Sequence, residues 1–163
     1  MTRLFLDTEW QNDATRELVS LALVGEKVEF YAERDPLPTA PSSFVAKVVY
    51  PLLDRGETAV PDEDFSRGLR TFLEQFPSPP QVVADAMIDF RLFRLALSGF
   101  GKHILIGVPN WSPLHVQDAE VMQSIELYFR ENVEANARRH HALVDARALQ
   151  WACELQLSVW GEN

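Results

Sequence analysis

Cysteine is almost missing from this chain: Cys153 is the only one in 163 residues. A single cysteine excludes an internal disulfide framework and fits a reducing cytosol. A chain of this length can bury roughly 70% of the surface its unfolded form exposes, so it needs no covalent or metal staple to fold. Positive charge is also scarce, with 15 Lys and Arg against 24 Asp and Glu and a net charge of −9. That balance argues against nonspecific binding to long nucleic acid, which draws on a basic surface. It does not exclude an enzyme that acts on nucleic acid, because carboxylates gathered around divalent cations are neutralised locally. Long apolar runs are missing too. None approaches the ~18–20 residues that span a bilayer, and the apolar stretch after Met1 is too short for a signal peptide. The expectation is a cytoplasmic protein with no membrane partner, forming one domain over 1–163 without repeats or low-complexity tracts.

What is present is an alternation of short apolar runs and helical stripes. Arg3 to Glu9 reads as a strand, as do Glu17 to Val24 and Val28 to Ala32, with Gly25-Glu26-Lys27 as the turn of a hairpin between the last two. After the proline-rich stretch from Asp35 to Ser42, the spacing of Phe44, Val45, Val48, Val49 and Leu52 predicts a helix capped by Ser42 or Ser43. Phe65, Leu69, Phe72, Leu73 and Phe76 predict a second helix, ended by Pro77-Ser78-Pro79-Pro80. On spacing, Phe44 and these phenylalanines belong to the core. Gln81 to Ala84 is a short strand, Asp89 to Leu97 a helix and His103 to Val108 the last strand. Pro109 to Pro113 reads as a loop, before helices over about Val116 to Val133 and His141 to Leu157. This order implies an α/β fold with antiparallel strands on one side of the sheet and parallel crossovers on the other.

Three features bear on chemistry. Asp7 and Glu9 alternate along a strand, so both point to one face, at the end of a run that should be buried. Two carboxylates held there repel unless a cation lies between them. Asp145 falls within the apolar stripe of Leu143, Ala146, Leu149 and Cys153. His140 is five residues earlier, about 140° away on a continuous helix, so the two share a site only if His140 precedes the helix. Asp85 and Asp89 follow the strand ending at Ala84, where open α/β sheets place their sites. Each feature also has an ordinary explanation: a solvated strand end, a charged helix start, an N-terminal cap.

Together the three resemble one family. Asp7-Thr8-Glu9, Asp89 after a central strand, and His140-His141-Ala142-Leu143-Val144-Asp145-Ala146 look like the three motifs of the DEDDh 3′–5′ exonuclease superfamily, in order and over nearly the whole chain. Within it the chain most resembles the small bacterial ribonuclease-T-like 3′–5′ exoribonucleases typified by a mycobacterial enzyme. Two positions depart from the common pattern: Asp85 stands where asparagine is usual, and Trp10 where threonine is frequent.

The resemblance implies a ribonuclease-H-like fold, with a mixed five-stranded sheet flanked by helices. It implies Asp7, Glu9, Asp89, His140 and Asp145 as catalytic residues, with the four carboxylates holding two divalent ions, Mg²⁺ or Mn²⁺. Such a pair can neutralise a phosphodiester, activate a water and stabilise the leaving oxygen. His140 suits the role of general base near neutral pH. Thr8, Trp10 and Asp85 are expected to face substrate, Trp10 by stacking on a terminal base. The expected partner is single-stranded RNA or a short oligonucleotide, DNA being an alternative, and relatives are often homodimers. A deoxyribonuclease would use the same residues, whereas a non-catalytic binding module of this fold would not need all five.

Overall fold

The computed structural model describes residues 1–101 and 107–160, with side chains described through 156. Its centre is β1 (Arg3–Trp10), antiparallel to β2 (Leu18–Val24) on one side and parallel to β5 (Gln81–Ala84) on the other. β2 pairs antiparallel with β3 (Glu29–Arg34), and the Gly25 amide donates to the Val28 carbonyl at 2.8 Å to close their turn. β4 (Ala59–Val60) and β6 (Ser112–His115) complete a sheet of order β4-β3-β2-β1-β5-β6.

The sheet is therefore mixed, as expected, but it has six strands among the described residues rather than five. Four of them are expected strands, and two short edge strands, β4 and β6, are additional. β4 has two residues, too few to leave a period in the sequence. β6 pairs parallel with β5 from Gln81↔Ser112 to Ala84↔His115, through a segment that its prolines mark as a loop. At a sheet edge a proline's missing N–H can face outward without loss, which is why Pro113 is accommodated. The strand expected at 103–108 falls mostly on 102–106, outside the described residues.

Helices cover both faces. α2 (Asp62–Glu74) and α3 (Met87–Leu97) pack on one face, where Leu4, Leu6, Leu21 and Leu23 meet Phe65, Leu69, Phe93 and Leu97. Full burial of each such side chain stabilises the fold by roughly 1.5–3 kcal/mol. α4 (Ala119–Glu131) and α6 (Ala142–Trp160) take the other face, through Phe5, Val83, Val121, Leu149 and Ala152. A one-turn α1 (Tyr50–Leu52) and a short α5 (Val133–Ala137) complete the set. The stretch before α1, Val45–Val49, winds as a π-helix, with the Ser42 hydroxyl accepting from the Val45 amide at 3.1 Å. Among the described residues no helix is long and apolar enough to cross a membrane.

Candidate metal centre

The alternation of β1 sends Leu4, Leu6 and Thr8 to the α2–α3 face and Phe5, Asp7 and Glu9 to the opposite one. Across the ladder, Asp7 stands opposite Ala22 and Glu9 opposite Ser20, both small. Ala142 and Ala146 on the first turns of α6 pack against Ala22 and Val24. Small residues on both sides let the helix approach closely and bring Asp145, in that first turn, onto the carboxyl end of β1.

His140 lies just before α6, as its spacing to Asp145 requires. Its φ of 74° is in the left-handed region. That turn aims its own amide at the Asp145 carboxylate, with N···O distances of 3.1 and 3.3 Å. Asp89 is the third residue of α3 and is 1% exposed. It accepts a hydrogen bond from the Thr8 hydroxyl at 2.6 Å.

Two groups of donor atoms result, each with all members within 4.8 Å of one another: Glu9 with His140 and Asp145, and Asp7 with Asp85 and Asp89. Five carboxylates are thus gathered with little to neutralise them. Asp7 Oδ2 is wholly enclosed and has no hydrogen-bond partner. Burial, reinforced by Asp145, Asp89, Glu9 and Asp85, holds the Asp7 carboxyl well above its ordinary range. Burial and the negative charges of Asp145 and Asp89 push Glu9 up to about 9. Asp89 rises to about 7 through burial, against the opposing pull of the Thr8 hydrogen bond. Asp145 also rises to about 7 through burial, although the His140 amide and Arg139 favour its charged form. Arg139 is itself engaged, ion-paired with Glu126 and lying 4.8 Å over the Phe129 ring. Burial and the neighbouring Arg139 charge lower the pKa of His140.

The chain matches no protein-family model, and no curated protein is significantly similar to it. What this centre can do must therefore follow from its own donors. An enclosed, unpartnered carboxylate oxygen among four further acids is a set that a divalent cation would satisfy. The five carboxylates in this set suit hard ions such as Mg²⁺ and Mn²⁺. Asp7, Glu9, Asp85, Asp89 and Asp145 are the carboxylates that could hold such ions.

All five residues expected to be catalytic come together. The three expected to face substrate divide. Thr8 is 2% exposed and its hydroxyl donates to Asp89, so its side chain supports that carboxylate. Asp85 stands among the carboxylates, and its carbonyl is met by His115 Nε2 at 3.0 Å. Trp10 follows a β-bulge at Glu9/Trp10 and lines a cavity of about 400 Å³ with Glu9, Asn12, Ser42, Phe44 and His140.

Phe44, assigned to the core by its spacing, is instead 50% exposed and stands edge-on to His140 with ring centroids 5.0 Å apart. The π winding of its segment breaks the 3.6-residue period on which that assignment rested. The role of His115 had no signal in the sequence, since it depends on β6. Arg138 pairs with Asp54 at 2.6 Å. His103 lies outside the described residues.

Proposed function

We propose that this protein is a metal-dependent 3′–5′ exoribonuclease with a ribonuclease-H-like fold, related to the DEDDh exonucleases that its three motifs resemble. The observation that carries this reading is the convergence of Asp7, Glu9, Asp85, Asp89 and Asp145 from three distant segments, unneutralised, beside a histidine with a lowered pKa. The polarity of cleavage and the choice of RNA rest on the motif resemblance.

When bound, a pair of divalent ions supplies charge neutralisation at the phosphate and a more acidic water. The carboxylates of Asp7, Glu9, Asp89 and Asp145 would hold that pair, with Asp85 beside them. Thr8 keeps one Asp89 oxygen oriented, and the His140 amide does the same for Asp145. The His140 ring, neutral near pH 7 because its pKa is lowered, accepts the water's proton. Trp10 and Phe44 provide aromatic walls of the adjoining cavity, on which a terminal base can stack without regard to its sequence.

The test is incubation of 5′-labelled single-stranded RNA and DNA with Mg²⁺, with Mn²⁺ and with EDTA. The expected result is a ladder shortening from the 3′ end of the RNA that disappears in chelator. Full hydrolysis in EDTA, or no product from either substrate with either ion, would overturn the proposal. His140→Ala is expected to slow turnover by ~10²–10⁴-fold while leaving Mn²⁺ binding nearly intact.

A further inference from the structure

A second group of donors lies on the same face of the sheet. In register, Ser20 of β2 stands between Glu9 of β1 and Glu33 of β3. Two strand spacings place Glu33 ~10 Å from Glu9. Glu33, Asp54 and His141 each present a donor atom within 4.8 Å of the other two.

Unlike the centre above, this group is braced. Glu33 is fully buried and accepts from the Tyr31 hydroxyl at 2.7 Å, the Asp54 amide at 2.6 Å and the Arg55 amide at 3.0 Å. Asp54 gives one oxygen, Oδ1, to Arg138 at 2.6 Å and turns Oδ2 toward His141. His141 is 1% exposed and its ring lies 4.6 Å from that of Tyr31. Both ring nitrogens are enclosed without a hydrogen-bond partner, and Nε2 lies 3.4 Å from Asp54 Oδ2. A buried imidazole with neither nitrogen satisfied is rare in folded proteins and calls for a partner.

We propose that Glu33, Asp54 and His141 form a second cation site, selective for a zinc-class ion over Mg²⁺ and independent of the acidic centre. Three features fit that ion. Zinc accepts one imidazole and two carboxylates, whereas Mg²⁺ prefers oxygen donors and retained waters. Zn–N and Zn–O bonds of ~2.0–2.2 Å at a tetrahedral angle separate the two donors by roughly 3.3 Å, close to the observed 3.4 Å between Nε2 and Oδ2. Both nitrogens of the enclosed ring are without a hydrogen-bond partner, which leaves Nε2 available as a ligand. The guanidinium groups of Arg138 and Arg55 touch the carboxylates from outside, Arg55 Nη1 lying 3.4 Å from Glu33 Oε2. They serve as the outer layer that fixes first-layer ligands in metal sites. The Asp54 side chain is 42% exposed and gives the ion its way in.

The experiment is Zn²⁺ binding by calorimetry to the full chain in excess Mg²⁺, with thermal melting alongside. It compares the parent with Asp54→Asn, His141→Gln and Asp145→Asn. Asp54→Asn and His141→Gln are each expected to bind one Zn²⁺ fewer than the parent and to lose its zinc-dependent rise in melting temperature. Asp145→Asn, which strikes the acidic centre, is expected to keep both. If His141→Gln does not fold, Asp54→Asn decides alone, because that side chain is partly exposed. No Zn²⁺ bound by the parent, equal stoichiometry in the parent and Asp54→Asn, or loss of the same ion in Asp145→Asn would each overturn the proposal. None of these outcomes depends on nuclease activity.

Discussion

The two faces of the sheet are built from the same strands to opposite ends. On the α2–α3 face, Leu4, Leu6, Leu21 and Leu23 disappear into a continuous apolar cluster. On the α6 face, one residue along in each strand, stand Asp7, Glu9, Ser20, Tyr31 and Glu33. The first face stabilises the fold. The second carries enclosed carboxyls, Asp7 and Glu9, whose ionisation is opposed by burial and by one another, an arrangement that costs stability. A strand's period of two thus lets one segment, β1, supply core and chemistry without either intruding on the other.

The largest contrast should come from neighbouring residues of β1. Asp7→Asn is expected to reduce nuclease activity to background yet to stabilise the metal-free protein by about 1–3 kcal/mol near pH 8, by removing a buried carboxyl whose ionisation the fold opposes. Leu6→Ala should do the reverse, costing about 2–5 kcal/mol while the folded fraction keeps its activity. Urea unfolding in EDTA, with assays in Mg²⁺, separates the two. An Asp7→Asn protein less stable than its parent would erase the distinction between the faces.

A smaller effect is expected where the faces touch. Thr8→Val is nearly isosteric but removes the 2.6 Å bond to Asp89. Without that donor the Asp89 carboxyl gives up its proton less readily, and Mn²⁺ affinity should fall by ~10–100-fold. Titration followed by electron paramagnetic resonance measures it, and an unchanged affinity would make Thr8 simply a core residue.

The mildest test is pH. Unfolded Asp and Glu lose their protons near ~4, whereas folded Asp89 and Asp145 hold theirs to about 7 and Glu9 to about 9. Between those values the native state binds more protons than the unfolded one, so stability falls as pH rises. The lowered pKa values of His140 and His141 act in the opposite direction, but only below ~6.5. In EDTA the melting temperature should therefore decline from about pH 6.5 to about pH 9, while the gap to the Mg²⁺-loaded protein widens as the ligands deprotonate. A flat profile in EDTA would mean that the carboxylates are already neutralised.

Much of this architecture was legible in local sequence. The apolar run of β1, the turn between β2 and β3, and the stripes of α2, α3, α4 and α6 are short-range patterns, and they appear within a few residues of their expected limits. The spacing of His140 and Asp145 was legible for a geometric reason: a shared site required His140 to lie before the helix, and α6 begins at Ala142. Pairings between distant segments were not legible. Thr8 and Asp89 are 81 residues apart, and nothing near either one marks the other. Glu33 meets Asp54 and His141 only after three elements have packed, and β6 was hidden by prolines that only an edge position excuses.

The left-handed backbone at His140 has a consequence for how that residue can be replaced. Its amide grips Asp145 while its ring faces the cavity, so the main chain and the side chain hold separate posts. Glycine adopts that conformation freely. His140→Gly therefore keeps the amide in place and leaves only a ring-shaped vacancy at a partly open wall. Under the proposed mechanism, imidazole added from solution would fill it and make the proton acceptor a detachable reagent whose basicity is varied by the choice of ring.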